Sequence, residues 1–280
     1  MALVSADFLN CVVAIGLGKQ DRPSTYQWAA TGFLVGRLIG EIEEDGIPKK
    51  QYNIYLVTNR HVFAHFEDVG DESFIVGFNP QSAEKGSLKI YSSSLAEAGE
   101  RMWTAHSDED VAVIPLNVVL LKQEERQFEF FRLEENLPTS AKMKSERVSE
   151  GDFVYMVGYP LGLVDLDWHY PIVRSGSIAR TRDMLDGRKS TFLLDVLNFP
   201  GSSGSPVVTR PEITAVEGTQ PLNKAYVIGM ICGFLPYAGV VSNETGDTGN
   251  LVQNSGLAVC VSSDCIQQAI EDDLERRSEI

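Results

Sequence analysis

The chain has 280 residues, a net charge of −15, and 43% hydrophobic against 22% charged side chains. That length and apolar content can bury a large core and exclude an intrinsically disordered chain. The acidic balance, with an isoelectric point near 4.7, argues against nucleic acid and anionic membranes as partners, because both select clustered Lys and Arg.

The first residues carry no basic leader, include Asp7, and continue into an apolar run of strand length at 11–15. No signal peptide is expected, and no later run approaches the ~20 apolar residues of a membrane span. Residues 11–15 and 31–38 read as strands joined by a polar turn at 19–24. A polar loop is expected over 41–50, then a strand at 54–58 that runs into Asn59-Arg60-His61-Val62-Phe63. Further strands are predicted at 74–78, 88–91 and 110–116, the last with Asp110 as the acid at its mouth. Charged and aromatic residues over 120–150, including Phe128, Phe130 and Phe131, read as a linker. Strands resume at 153–160 and continue at 172–178, 191–196, 206–209, 225–232 and 256–261, with a glycine-bearing loop over 239–254. Ile266, Ala269, Ile270 and Leu274 follow helical spacing behind a capping serine at 262 or 263, which predicts a C-terminal helix.

Many short strands without a long helical period indicate an all-β sandwich or barrel class. The expected organisation is an N-terminal β-domain over 1–120, a linker over 121–150, a second β-domain over 151–262 and a helix over 263–280. Cys11, Cys232, Cys260 and Cys265 sit in apolar surroundings without C-x-x-C spacing. They are expected as buried free thiols of a reducing, cytoplasmic compartment.

The stretch Asn198-Phe199-Pro200-Gly201-Ser202-Ser203-Gly204-Ser205-Pro206 packs small hydroxyl residues and two glycines ahead of apolar β-formers. A glycine-bent turn of this kind can gather backbone N–H groups around a developing negative oxygen; taken alone, it also reads as a surface loop. A serine nucleophile needs a base close by, histidine has a suitable intrinsic pKa, and a carboxylate fixes its tautomer. His61, Asp110 and Ser203 occur in one of the few chain orders that build such a set.

Thr58-Asn59-Arg60-His61-Val62, Asp110-Val111-Ala112-Val113 and Pro200 to Pro206 resemble the three motifs of chymotrypsin-fold serine proteases. The closest branch in appearance is the bacterial Deg (high-temperature-requirement) peptidases, without a PDZ module. Residues 31–35, 158–162, 194–195 and 256–259 add to the resemblance. It implies two perpendicular antiparallel six-stranded β-barrels with a C-terminal α-helix and a site in the cleft between them. It also implies Ser203 as nucleophile, His61 as base and acid, Asp110 as orienting carboxylate, and the amides of Gly201 and Ser203 as oxyanion hole. Ser202 and Ser205 are decoys, and Asp108 competes with Asp110. By the same resemblance Leu197 lies at the base of the S1 pocket, with Cys232, Gly233, Phe234, Gly256 and Ala258 along its walls. No acid stands there to meet a basic P1 residue, so a small or medium apolar P1 is expected. Val62 replaces the cysteine of secreted members, in keeping with reduced thiols. Ser202 replaces the zymogen-type acid, so a cut N-terminus is not the expected trigger.

The expected partners are a protein or peptide substrate and, for a switchable enzyme, a protein activator. No cofactor and no metal are expected. The rival reading is a catalytically silent scaffold of this fold, or a dormant protease awaiting its activator. His61 and His65 stand at the i,i+4 spacing of a zinc pair, with His106 and Asp108 nearby, but no H-E-x-x-H pattern supports it. His169, between Trp168 and Tyr170, reads as a surface-loop residue. Asp195 reads as structural, and Cys260 and Cys265 as packing residues. The three phenylalanines of the linker read as interdomain core.

Overall fold

The computed structural model describes residues 4–44, 46–82, 87–167, 169–212, 221–242 and 248–278. The first half contains strands β1 (Val12–Leu17), β2 (Gln27–Glu44), β3 (Ile47–Thr58), β4 (Ser73–Pro80), β5 (Lys89–Ser94) and β6 (Ala96–Glu97). It continues with β7 (Glu100–Arg101), β8 (Thr104–Ala105), β9 (Ala112–Pro115), β10 (Arg126–Gln127) and β11 (Phe131–Arg132). The second half contributes β12 (Phe153–Gly158), β13 (Ile172–Arg180), β14 (Thr191–Asp195), β15 (Pro206–Thr209), β16 (Val227–Ser242) and β17 (Thr248–Ser262). The helices are α1 (Ala6–Leu9), α2 (Arg60–Asp68), α3 (Val118–Gln123), α4 (Leu133–Asn136), α5 (Ser140–Ser145), α6 (Arg182–Leu185) and α7 (Ser263–Ser278).

The fold is mostly β, as expected, but its two halves close differently. The second half forms a closed barrel, β12-β13-β14-β17-β16-β15. The first is a curled sheet in the order β10-β4-β1-β2-β3-β9-β8, with β5 joining β4 and β11 joining β2. Its end strands β8 and β10 are two residues long and do not pair with each other.

Side-chain alternation along the strands explains the near-continuous apolar runs. Val13, Ile15, Leu34, Ile54 and Leu56 point into the curl of the first sheet. Their neighbours Val12, Ala14, Phe33, Val35, Tyr55 and Val57 pack into a separate cluster with Tyr155, Val157, Tyr159 and Val208 of the second half. Both faces of the central strands are therefore dry, and the seam between the halves is itself a hydrophobic core. A third cluster, including Phe192, Leu194, Val207, Ile231 and Ala258, fills the closed barrel.

Helix α7 forms where expected and spans the seam. Ile266, Ala269 and Ile270 bury their side chains in the shared cluster. Asp273, fully buried, accepts from Thr104 Oγ1 (2.7 Å), Arg276 Nη2 (3.0 Å) and Arg277 Nε (2.7 Å). Arg276 and Arg277 also donate to the carbonyls of Arg101 and Met102 in the first half, each at 2.8 Å.

Several local expectations need correction. The polar loop read at 41–50 continues the β2–β3 hairpin, with Glu41 opposite Lys50 and Glu44 opposite Ile47. The loop read at 239–254 mostly extends the β16–β17 ladder, with Gly239 opposite Leu251, and its residues 243–247 lie outside those described. Backbone pairing satisfies the described parts of both polar stretches without requiring an apolar face, residue 45 also lying outside the described ones. The 120–150 segment is more than a connector. Phe131 pairs with Val35 and enters the shared core, whereas Phe128 and Phe130 pack against the inside of the first sheet. His169 is buried, not on the surface. Its backbone N–H donates to Asn79 Oδ1 (3.1 Å), its carbonyl accepts from Asn79 Nδ2 (2.7 Å), and its Nε2 bonds Gly77 O (3.0 Å). Trp168 lies outside the described residues.

Candidate active site

His61 stands in the first turn of α2, straight after the buried end of β3. Asn59 takes the N-cap position, but its side chain does not cap the helix. Instead its Nδ2 donates to the carbonyl of Asp110 (2.8 Å), which ties the two segments together. Asp110 then receives two bonds from one residue: His61 N–H to Oδ1 (2.9 Å) and His61 Nδ1–H to Oδ2 (2.7 Å). A ring that donates from Nδ1 to a carboxylate presents a bare Nε2 on its other side. That nitrogen lies 3.1 Å from Ser203 Oγ. The row Asp110–His61–Ser203 is thus continuous and crosses the seam between the halves.

Burial alone pushes the Asp110 carboxyl up. The bonds from the His61 side chain and backbone, with the charges of His61 and Arg60, outweigh it and hold the group below the usual carboxylate range. The imidazole is half exposed and open to a reactant. Asp108 takes no part in the row; its carboxylate bonds Ser107 Oγ (2.7 Å). His106 Nδ1 accepts from the amides of Asp108 and Glu109, both at 3.1 Å, and so shapes the loop that delivers Asp110. Among the described residues no three His, Cys, Asp or Glu side chains converge as a metal cage.

The neighbouring serines point elsewhere. Ser202 is fully buried and its Oγ accepts from Phe199 N (3.2 Å); Ser205 is buried as well. The backbone around Ser203 is held from behind by its carbonyls. Pro200 O accepts from Leu161 N (2.6 Å), Gly201 O from Thr31 Oγ1 (2.8 Å), Ser202 O from Ser205 N (3.0 Å) and Ser203 O from Thr31 N (2.9 Å). A trans peptide directs its N–H opposite to its C=O. The N–H groups of Gly201 and Ser203 share peptides with Pro200 O and Ser202 O and so face away from those two anchors, and neither meets an acceptor among the described residues. The positive φ of Gly201 (+89°) and Gly204 (+84°) makes this path affordable to glycine alone. At Gly204 a Cβ would also come within 2.0 Å of Thr31 O.

The segments assigned to the S1 walls meet through two asparagines that sequence reasoning passed over. Asn198 Nδ2 donates to Gly233 O (2.9 Å), Asn254 Nδ2 to Asn198 O (2.7 Å), and Gly256 N to Asn254 Oδ1 (2.9 Å). Leu197 and Phe234 are exposed, and a Cβ at Gly233 or Gly256 would meet open space. Cys232 is half-buried, and its Sγ donates to Val259 O (3.3 Å). Burial, then the charges of Asp110 and Glu109, push its thiol up to about 12, so it stays protonated. Ala258 departs from expectation: its side chain lies in the core of the closed barrel, leaving its backbone as the part near the wall. All four cysteines are free thiols.

The bracing residues Thr31, Thr58, Asn59 and Leu161 were also not singled out by residue type. Each acts through a backbone contact distant in sequence. Leu161 alone leaves a conformational trace, a left-handed φ of +60°. No individual curated protein matches the chain in a sequence comparison. A family model described as "Trypsin-like peptidase domain" matches residues 30–212, more than half of the chain and all of the row above. The chain belongs to the trypsin-like peptidase family.

Proposed function

We propose that this chain is a serine endopeptidase. Ser203 attacks the scissile carbonyl, His61 Nε2 takes the hydroxyl proton and returns it to the leaving amine, and Asp110 holds the imidazole and its charged form. The N–H groups of Gly201 and Ser203 receive the oxyanion. Water then attacks the acyl-enzyme, with His61 again as base, and releases the acid. The observation that carries this reading is the unbroken set of bonds from Asp110 Oδ2 through His61 to Ser203 Oγ.

A small or medium apolar P1 residue suits a pocket framed by Leu197, Cys232, Gly233, Phe234, Gly256 and the backbone of Ala258, none of which is an acid. No cofactor enters the reaction. A Deg-type ancestry and a cytoplasmic setting are part of the proposal; four free thiols support the latter. No helix of the described residues is long and apolar enough to cross a membrane.

The test is labelling by a fluorophosphonate probe, with the purified protein and its Ser203→Ala variant compared side by side. Labelling of wild type that vanishes in the folded variant is the expected result. Equal labelling of both removes Ser203 as nucleophile, and a wild type dark in both purified form and lysate favours the silent scaffold. Cleavage-site profiling on a denatured proteome checks P1, where basic residues at the cut would overturn the apolar assignment.

A further inference from the structure

The reaction needs the Gly201 and Ser203 amides aimed before substrate arrives, and that aim depends on a residue outside the row. We infer that Thr31, on β2 of the first half, is a positioning residue for the oxyanion donors of the second; the inference rests on the serine endopeptidase reading.

Thr31 uses every polar group it has. Its N–H donates to Ser203 O (2.9 Å) and its Oγ1 donates to Gly201 O (2.8 Å). The same Oγ1 accepts from Tyr159 N (2.9 Å), so its single proton is committed to Gly201. Its carbonyl accepts from Thr58 Oγ1 (2.8 Å), two residues past which the chain enters α2 with His61 following Arg60. One buried residue thus joins three parts: the histidine segment, the nucleophile turn and the turn after β12. That last turn holds Pro200 O through Leu161 N (2.6 Å).

The consequence follows from rigid peptide planes. Thr31 holds Gly201 O and Ser203 O, so the planes on either side of the Ser202–Ser203 peptide, which carries the Ser203 N–H, are fixed; Leu161 N on Pro200 O holds the plane that carries the Gly201 N–H. Rotation of the Pro200–Gly201 plane would swing the Gly201 N–H out of the site and bring a carbonyl in. Glycine at 201 offers no side-chain resistance to that rotation, so the restraint has to come from outside. Space has been cleared for the hydroxyl: a Cβ at Gly158 would lie 2.7 Å from Thr31 Oγ1 and 2.0 Å from Ser205 Oγ.

Thr31→Val keeps the shape and deletes the hydroxyl, while Thr31→Ser retains it. With fluorescein-casein as substrate, Thr31→Val is expected to lower kcat by about 10²-fold, the scale of losing one oxyanion donor, with KM within about threefold. Thr31→Ser is expected to return kcat to within about fivefold of wild type. A peptide boronic acid, which forms a tetrahedral adduct, should lose affinity in step with kcat. Wild-type kcat in a folded Thr31→Val, or a Thr31→Ser as impaired as Thr31→Val, overturns the assignment. A crystal structure of Thr31→Val with Gly201 to Ser203 superposing on wild type overturns it as well, whatever the activity. Failure of the peptidase reading looks different: casein cleavage would then survive Ser203→Ala or be absent from wild type.

Discussion

The two halves contribute to the candidate site in different ways. The curled first sheet supplies side chains: an imidazole at the start of α2 and a carboxylate on the loop before β9, bonded to each other at 2.7 Å. The closed second barrel supplies one hydroxyl and, above all, backbone: two amides left free because the carbonyls of their own peptides, Pro200 O and Ser202 O, are held from behind, with Thr31 holding the peptides that follow each. A side-chain function is destroyed by changing one residue. A backbone function is destroyed by letting a peptide plane turn, and the residues that prevent this lie partly in the other half.

The largest effect should come from the side-chain half. Asp110→Asn replaces the acceptor facing His61 Nδ1 with an amide that can favour the wrong tautomer. Turnover is expected to fall by about 10⁴ with folding retained. Casein hydrolysis checked alongside circular dichroism would show this, and a loss under tenfold would mean that Asp110 is not needed to orient the ring.

The joint between the halves comes next. Asp273→Ala leaves Arg276 and Arg277 of α7 without their buried partner and Thr104 without its acceptor. A loss of about 3 kcal/mol in urea unfolding is expected, near the lower end for breaking a buried ion pair because both arginines are partly exposed. A change below about 1 kcal/mol would make the clasp ornamental.

A pH-dependent effect of at most similar size acts along the same seam. Burial holds the His169 pKa at about 4, and its Nδ1 is buried with no hydrogen-bond partner among the described residues. In the unfolded chain the imidazole titrates near 6.5, so between those values the unfolded state binds more protons. The stability is complete above about 6.5 and is lost as pH falls toward 4, by up to about 3 kcal/mol. Asp110, held below the usual carboxylate range, loses its contribution at still lower pH. Urea titrations at pH 7 and 4.5 should show a steeper drop for wild type than for His169→Gln; parallel drops would contradict this.

The contrast also explains what could be read from residues alone. His61, Asp110 and Ser203 are legible because few residue types perform their chemistry, and their three short motifs stand out. Asp110 bonds the His61 ring, whereas Asp108 bonds Ser107. Thr31, Thr58 and Asn59 lie inside the recognisable motifs, yet nothing in a threonine or asparagine says that its partner is a backbone atom up to 170 positions away. His169 misled for a related reason: a histidine among aromatics looks exposed until Asn79 and Gly77 on β4 are seen to satisfy it. The polar stretches 41–50 and 239–254 misled because hairpin ladders ask for backbone pairing, which composition does not display. The first half curls without joining its ends, since its edge strands are two residues long, and no hydrophobic pattern records such an edge.

The most direct measurement on the central claim is peptide mapping of the wild-type protein after reaction with a fluorophosphonate. Three serines lie within four positions, and their environments differ: Ser203 Oγ faces His61, Ser202 Oγ accepts from Phe199 N, and Ser205 is buried. The adduct mass is predicted on Ser203 alone, at stoichiometry near one and suppressed in Asp110→Asn. An adduct on Ser202 or Ser205, or one formed equally well without Asp110, would contradict the account.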